Sequence, residues 1–513
     1  MSISKKDNLH QLIKAMSKTE KKYFRDFLKN STQPKLYLQL FNNLEKQSKH
    51  DKNEIKKAFD TKANELPVIK TYLTKTLLKS LTNFHRENSL FDKIHQKFSE
   101  INILLQKELF DLAEFEIDKL VILCQKKSYQ HELLQALEFK KRFLIQKFGP
   151  ASDISKKALI EAITEQNSLL GKIYNLHQYQ ELQATFYEHF HQTAGLNPTI
   201  YTNLNKNPLL AEEKSAESLP AQILQAELLY SLHIFKDKNY REAEQILQKI
   251  IRQIEHEPDF IRENPLTYLN LLNKAVELQL HLKHFTEIPL TIEKIRQTPE
   301  NFQLDIWQPA IVRPMMEASA LELQLYTSTH DTAHAELLIG KLDQKFKTLN
   351  SAALKQWPVI LNAQIAEYYL EIGELSKAIQ RIKMIKSAES ADREKDTLLQ
   401  TILLEIVLNL KQKNFFQLKG SLQDLRNYYQ KHRKPTRLEK HFLKALSDFP
   451  TLLLQPRKHR QLQRRLIELN QSFQKATDES KARYSAKQGD LQKQQQILNL
   501  INQEAMLYFG LEK

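Results

Sequence analysis

Across residues 89–430 the hydrophobic positions recur at three- and four-residue intervals, in blocks separated by polar turns, which is the spacing of helices that bury one face. A short signature returns from block to block. It reads Tyr240, Ala243, Leu247, Ile250; then Phe285, Ile288, Ile292, Ile295; Thr332, Ala335, Ile339, Leu342; Leu375, Ala378, Ile382, Ile385; and Phe415, Leu418, Leu422, Leu425. The first members are 45, 47, 43 and 40 residues apart. An earlier copy at Phe110, Ala113, Ile117 and Leu120 sets the start of the pattern near residue 90. A period of this length predicts antiparallel helix pairs, each burying its apolar face against the next pair. A chain of 513 residues exceeds what one compact core holds, and a linear array avoids that limit. An irregular bundle is the alternative, but five consecutive units favour the array.

The fullest unit is Ala363–Ile385, AQIAEYYLEIGELSKAIQRIKMI. Ile365, Ala366 and Tyr369 share one helical face, Gly373 ends that helix, and Leu375, Ala378, Ile379, Ile382 and Ile385 line the next. These residues resemble a tetratricopeptide (TPR) repeat. The resemblance implies an all-α, TPR-like α-solenoid, with Ala366 and Ala378 at the close approach of the helices and Gly373 in a left-handed conformation. It also implies a concave face that binds a peptide or protein through the first helix of each pair. Those helices are expected near Ile223–Phe235, Leu269–Leu282 and Trp357–Ile372. The spacing here exceeds the ~34 residues of a regular TPR.

Before the array, residues 1–88 read as a small helical domain with helices at 8–16, 18–29, 34–47, 53–59 and 67–85. Its last two helices fit a helix-turn-helix, with Val68, Tyr72, Leu73, Leu77, Leu78 and Leu81 facing inward and Lys70, Thr71, Thr74, Lys75 and Lys79 outward. The connection, residues 60–66, is long for that motif and holds no glycine, so a helical cap for the array accounts for the same residues. Residues 431–513 read as further helices that cap the array, the last with the apolar stripe Ile497, Leu498, Ile501, Met506 and Phe509.

Charge divides along the same lines. The protein carries a net +15, yet residues 1–85 hold 18 Lys+Arg against 8 Asp+Glu and residues 426–465 hold 12 against 2. The stretch between is mildly acidic. Lys70, Lys75 and Lys79 at one end, and Arg433, Lys434, Arg437, Arg457, Lys458, Arg460, Arg464 and Arg465 at the other, are the candidate contacts for nucleic acid or an acidic partner. A solvated, solubilising face is the plainer explanation of the same charges.

Eight glycines in the whole chain leave no phosphate-cradling loop or dinucleotide fingerprint, and most of the sixteen prolines fall between the periodic segments. Pro289 and Pro314 are expected in first helical turns. No apolar run approaches the ~20 residues of a membrane span, and the start carries no secretory h-region. Cys124 is the only cysteine and reads as inert packing, so the expected location is the cytoplasm, with no membrane association. His330-Asp331-Thr332-Ala333-His334 imitates a two-histidine zinc helix, but His330 falls in the turn and Asp331 reads as a helix cap. The pairs His189/His191 and His281/His284 lack further ligands in sequence. The sequence therefore points to a non-enzymatic scaffold without cofactor or metal, binding a protein or peptide in its groove. The competing reading is a nucleic-acid-binding regulator that uses the basic ends.

Overall fold

The computed structural model describes residues 8–29, 34–47, 55, 66–85, 90–126, 129–149, 153–192, 204, 206–211, 215–234, 238–304, 308–347, 356–388, 395–412, 414–432, 435, 440 and 443. Among the described residues there are twenty helices and no strand, so the chain is all-α. None of these helices is long and apolar enough to cross a membrane. The chain divides into two compact units, Met1–Leu170 and Gly171–Lys513.

In the first unit, α1 (Asn8–Ala15), α2 (Lys18–Leu28), α3 (Pro34–Lys46) and α4 (Leu66–His85) close one core. Ser17 starts α2 through a capping box: its hydroxyl accepts the Glu20 N–H at 3.2 Å, and its own N–H donates to the Glu20 carboxylate at 2.6 Å. Phe24 and Phe41 pack with ring centroids 4.8 Å apart, beside the fully buried Leu40, Leu44 and Ile13. Then come α5 (Leu90–Gln106), α6 (Phe110–Lys126) and α7 (Gln130–Phe148), with a separate core that includes Ala113, Ile117, Leu120 and Cys124. The α8 helix (Asp153–Gln192) runs through the boundary between the units.

The second unit holds α9 (Pro208–Ala211), α10 (Leu219–Leu232), α11 (Tyr240–Glu255), α12 (Pro258–Glu263), α13 (Pro265–Leu282), α14 (Ile288–Asn301), α15 (Pro309–Ser328), α16 (Thr332–Phe346), α17 (Gln356–Glu371), α18 (Leu375–Ser387), α19 (Lys395–Lys411) and α20 (Phe415–His432). Hairpins form between α10 and α11, α13 and α14, α15 and α16, α17 and α18, and α19 and α20. First helices also pack in series, α13 on α15, α15 on α17 and α17 on α19.

The signature lies where this packing requires it. Its second, third and fourth members are buried in every copy, from Ala113, Ile117 and Leu120 to Leu418, Leu422 and Leu425. Each large one contributes about 1.5–3 kcal/mol of burial. Ala113, Ala243, Ala335 and Ala378 have no exposed surface, as close approach of two helix axes demands. The first members Phe110, Tyr240, Thr332, Leu375 and Phe415 are each the first residue of a helix. Phe285 differs, since α14 begins three residues later at Ile288.

Two residues before each of five first members the backbone is left-handed: Glu108 (φ 55°), Lys238 (50°), Lys283 (61°), His330 (56°) and Gly373 (82°). Four of these turns close with the same 6→1 hydrogen bond: Leu109 N–H to Leu104 O (3.0 Å), His284 to Gln279 (2.8 Å), Asp331 to Tyr326 (2.9 Å) and Glu374 to Tyr369 (2.8 Å). Asn414 to Asn409 repeats it at 2.8 Å. At the end of α10 the bond is one residue longer, Asn239 N–H to His233 O at 3.1 Å, because a π-turn widens His233–Ile234. Asn239, Asp331 and Asn414 then cap the second helices, accepting the N–H of Glu242, His334 and Gln417.

Three expectations are corrected. In α4 the buried stripe is Leu66, Ile69, Leu73, Leu77 and Ser80, so Val68, Tyr72 and Leu78 are exposed instead of inward. This helix is apolar on more than one face, and its packing against α2 and α3 selects which face is covered. Pro314 lies in the second turn of α15, not the first. Pro299 sits inside α14 rather than between segments.

Candidate functional site

Successive hairpins of the second unit are tied by polar links that the periodic pattern does not show. Lys274 bonds Glu227, Lys294 bonds Glu255 at 2.7 Å, Arg296 bonds Glu322, Lys377 bonds Glu336 at 2.8 Å, and Lys386 bonds Glu405 at 2.6 Å. Glu336 also accepts the Tyr369 hydroxyl at 3.1 Å. In each of these pairs a Lys or Arg neutralises the carboxylate.

Glu244 departs from that rule. In the second turn of α11, it is only 8 % exposed, and its Oε1 lies 3.1 Å from His284 Nδ1 in the turn after α13. Glu287, the residue before α14, joins them. One ligand atom from each of the three residues falls within 4.8 Å of the other two. Gln279 (5 % exposed) holds Glu287 from behind, donating to its Oε2 at 3.3 Å while accepting the Thr291 hydroxyl at 3.2 Å. Beside Gln279 and Thr291 a cleft of about 180 Å³ opens between α11 and α14, over a floor of Leu272 and Ala275. Gln248 and Thr291, each four residues beyond Glu244 and Glu287, line it, with Arg252 and Lys294 further along.

A second candidate surface is the series of first helices. Six residues before the left-handed turn residue stand Glu277 in α13, Gln324 in α15 and Glu367 in α17. The first two are exposed and the third is half-buried, all outside the hairpin cores. All three are polar and two are acidic.

Of the basic candidates, Lys75 and Lys79 are exposed on α4 and Lys70 is half-buried. Their face also presents Val68, Tyr72 and Leu78, and Tyr72 stacks on Tyr37 with centroids 6.0 Å apart. Arg433, Lys434, Arg437, Arg457, Lys458, Arg460, Arg464 and Arg465 lie outside the described residues, as do the helices expected after residue 466 and all of the 53–59 helix except the buried Ile55. His189 and His191 have no described side chain.

His330 is in the turn and Asp331 caps α16, with His334 Nδ1 at 2.7 Å from the Asp331 carboxylate. Those bonds from the His334 backbone and ring hold Asp331 below the usual carboxylate range. Cys124 is fully buried and its thiol is pushed up to about 12 by burial, with Glu132 adding to the effect, so it carries no reactive thiolate.

The sequence singled out the pair His281/His284 but missed the site, because Glu244 is 40 residues away and reaches His284 only through hairpin packing. Comparison with known protein families, with curated proteins and with solved structures finds no match for this chain.

Proposed function

We propose that the protein is a non-enzymatic, TPR-like helical-repeat scaffold that binds a protein or peptide along the face of its first helices. The observation that carries this reading is the recurrence of one hairpin turn, left-handed two residues before the signature, from Glu108 to Gly373. Turns that recur in register give hairpins of like geometry, and stacking such hairpins brings their first helices side by side. A preformed row of helices binds an extended or helical peptide with little ordering cost. Glu277, Gln324 and Glu367 are the contacts this reading selects, and their chemistry suits a polar or basic segment.

The test is affinity capture of the tagged full-length protein from its native lysate near physiological salt, with and without nuclease. The scaffold reading expects protein partners that survive nuclease and are lost when Glu277, Gln324 and Glu367 are all changed to Arg. Partners that bind the triple variant unchanged overturn it. The nucleic-acid reading instead expects nucleic acid in the untreated sample and none after nuclease. The exposed Val68 and Leu78 beside Lys75 and Lys79 weigh against it, since phosphate contacts are made by polar donors.

A further inference from the structure

We propose that Glu244, His284 and Glu287 form a binding site for one divalent transition-metal ion of the zinc class, joining two successive hairpins. The inference is independent of the partner-binding reading, because the three residues lie on α11 and around the turn between α13 and α14, not on the face of the first helices.

The donor set is one imidazole nitrogen and two carboxylate oxygens. Imidazole selects zinc-class ions over magnesium and calcium, and three protein ligands leave one tetrahedral position open. Ligands at ~2.0–2.2 Å from a zinc ion lie roughly 3.3 Å from one another. The spread here is up to 4.8 Å, so small side-chain rotations close the set around an ion.

Electrostatics supplies the second argument. Burying a carboxylate is costly without a permanent counter-charge. Glu322 and Glu405 meet that need with Arg296 and Lys386. Glu244 is as deeply buried as Glu322, yet it faces an imidazole and a second carboxylate, and among the described residues neither Glu244 nor Glu287 pairs with Lys or Arg. A divalent cation supplies the missing charge. Its arrival exchanges the hydrogen bond between His284 and Glu244 for two metal–ligand bonds, and any proton held between Nδ1 and Oε1 passes to solvent. Gln279 gives the Glu287 carboxylate the kind of supporting hydrogen bond that ligating carboxylates have in metal sites, and the Thr291 hydroxyl in turn donates to Gln279 Oε1. The open coordination position is left for water.

The experiment is calorimetric titration of the chelator-treated full-length chain with Zn²⁺, together with the visible spectrum on adding Co²⁺. It is repeated on Glu287→Gln, His284→Ala and, as a control histidine, His334→Ala. Glu287 is exposed, so its amide variant keeps the fold, which circular dichroism verifies. The expected result is one saturable equivalent of zinc and a tetrahedral cobalt band in the unaltered protein and in His334→Ala. Binding should be at least about tenfold weaker in both site variants. Zinc should also raise the unfolding temperature of the unaltered chain but not of Glu287→Gln. No saturable binding, or equal binding in the site variants, overturns the proposal.

Discussion

Arg381 of α18 and Asp343 of α16 meet fork to fork, Nη1 at 2.5 Å from Oδ1 and Nη2 at 2.7 Å from Oδ2. The guanidinium is nearly covered, and its Nη1 also donates to Asn362 Oδ1 of α17 at 3.0 Å. One side chain thus joins three helices of two hairpins. Changing Asp343 to Asn leaves a covered cation without its anion, and it should cost about 1–3 kcal/mol. Arg381→Lys keeps the charge but loses the fork, and should also destabilise. Urea unfolding followed by circular dichroism measures both; an unchanged midpoint for Asp343→Asn refutes the assignment.

The left-handed turns make opposite predictions at glycine and non-glycine positions. Gly373 has open space around its Cα, so Gly373→Ala meets no neighbour and pays only for its φ of 82°. The expected loss is about 1 kcal/mol. Lys283→Gly and His330→Gly relieve the same strain and should be neutral or stabilising by up to about 1 kcal/mol, despite the freedom glycine adds to the unfolded chain. Thermal unfolding of the three single variants decides it, and destabilisation by both glycine replacements would remove the strain argument.

On α4 the two apolar faces should separate in the same assay. Leu73 and Leu77 have no exposed surface, and either one changed to Ala should cost about 2–5 kcal/mol. Val68 and Leu78 are more than half exposed, and Val68→Lys or Leu78→Lys should change stability by no more than about 0.5 kcal/mol. Equal losses on both faces would restore the inward placement of Val68 and Leu78.

These contrasts show which parts of the fold are written locally. The buried positions of each second helix are legible because Ala243, Leu247 and Ile250, and their counterparts, repeat at helical spacing and face one neighbour. The turns are legible only at Gly373. Glu108, Lys238, Lys283 and His330 adopt the same backbone without the residue that announces it, held by a closing hydrogen bond to the preceding helix. Val68 and Leu78 fail for a different reason: a helix with apolar residues on two faces lets tertiary packing choose between them. The cluster of Glu244, His284 and Glu287 is least legible, since it needs two hairpins in register to bring a carboxylate to a histidine.

Glu405 gives a pH dependence whose sign is fixed by its surroundings. Burial raises its carboxyl above the ordinary value, and the ion pair with Lys386 at 2.6 Å only partly opposes that shift. Its Oε2 is covered and has no hydrogen-bond donor among the described residues. The folded chain therefore holds this proton more tightly than the unfolded chain, where glutamate titrates near ~4.3. The stability Glu405 contributes is greatest below that pH, falls as pH rises through the raised folded value, and is level above it. Glu405→Gln cannot titrate, and every other ionisable group is common to both proteins. The stability of the unaltered chain minus that of Glu405→Gln should thus decline as pH rises above about 4.3 in urea unfolding, while a difference that stays flat or rises would mean that Lys386 dominates over burial.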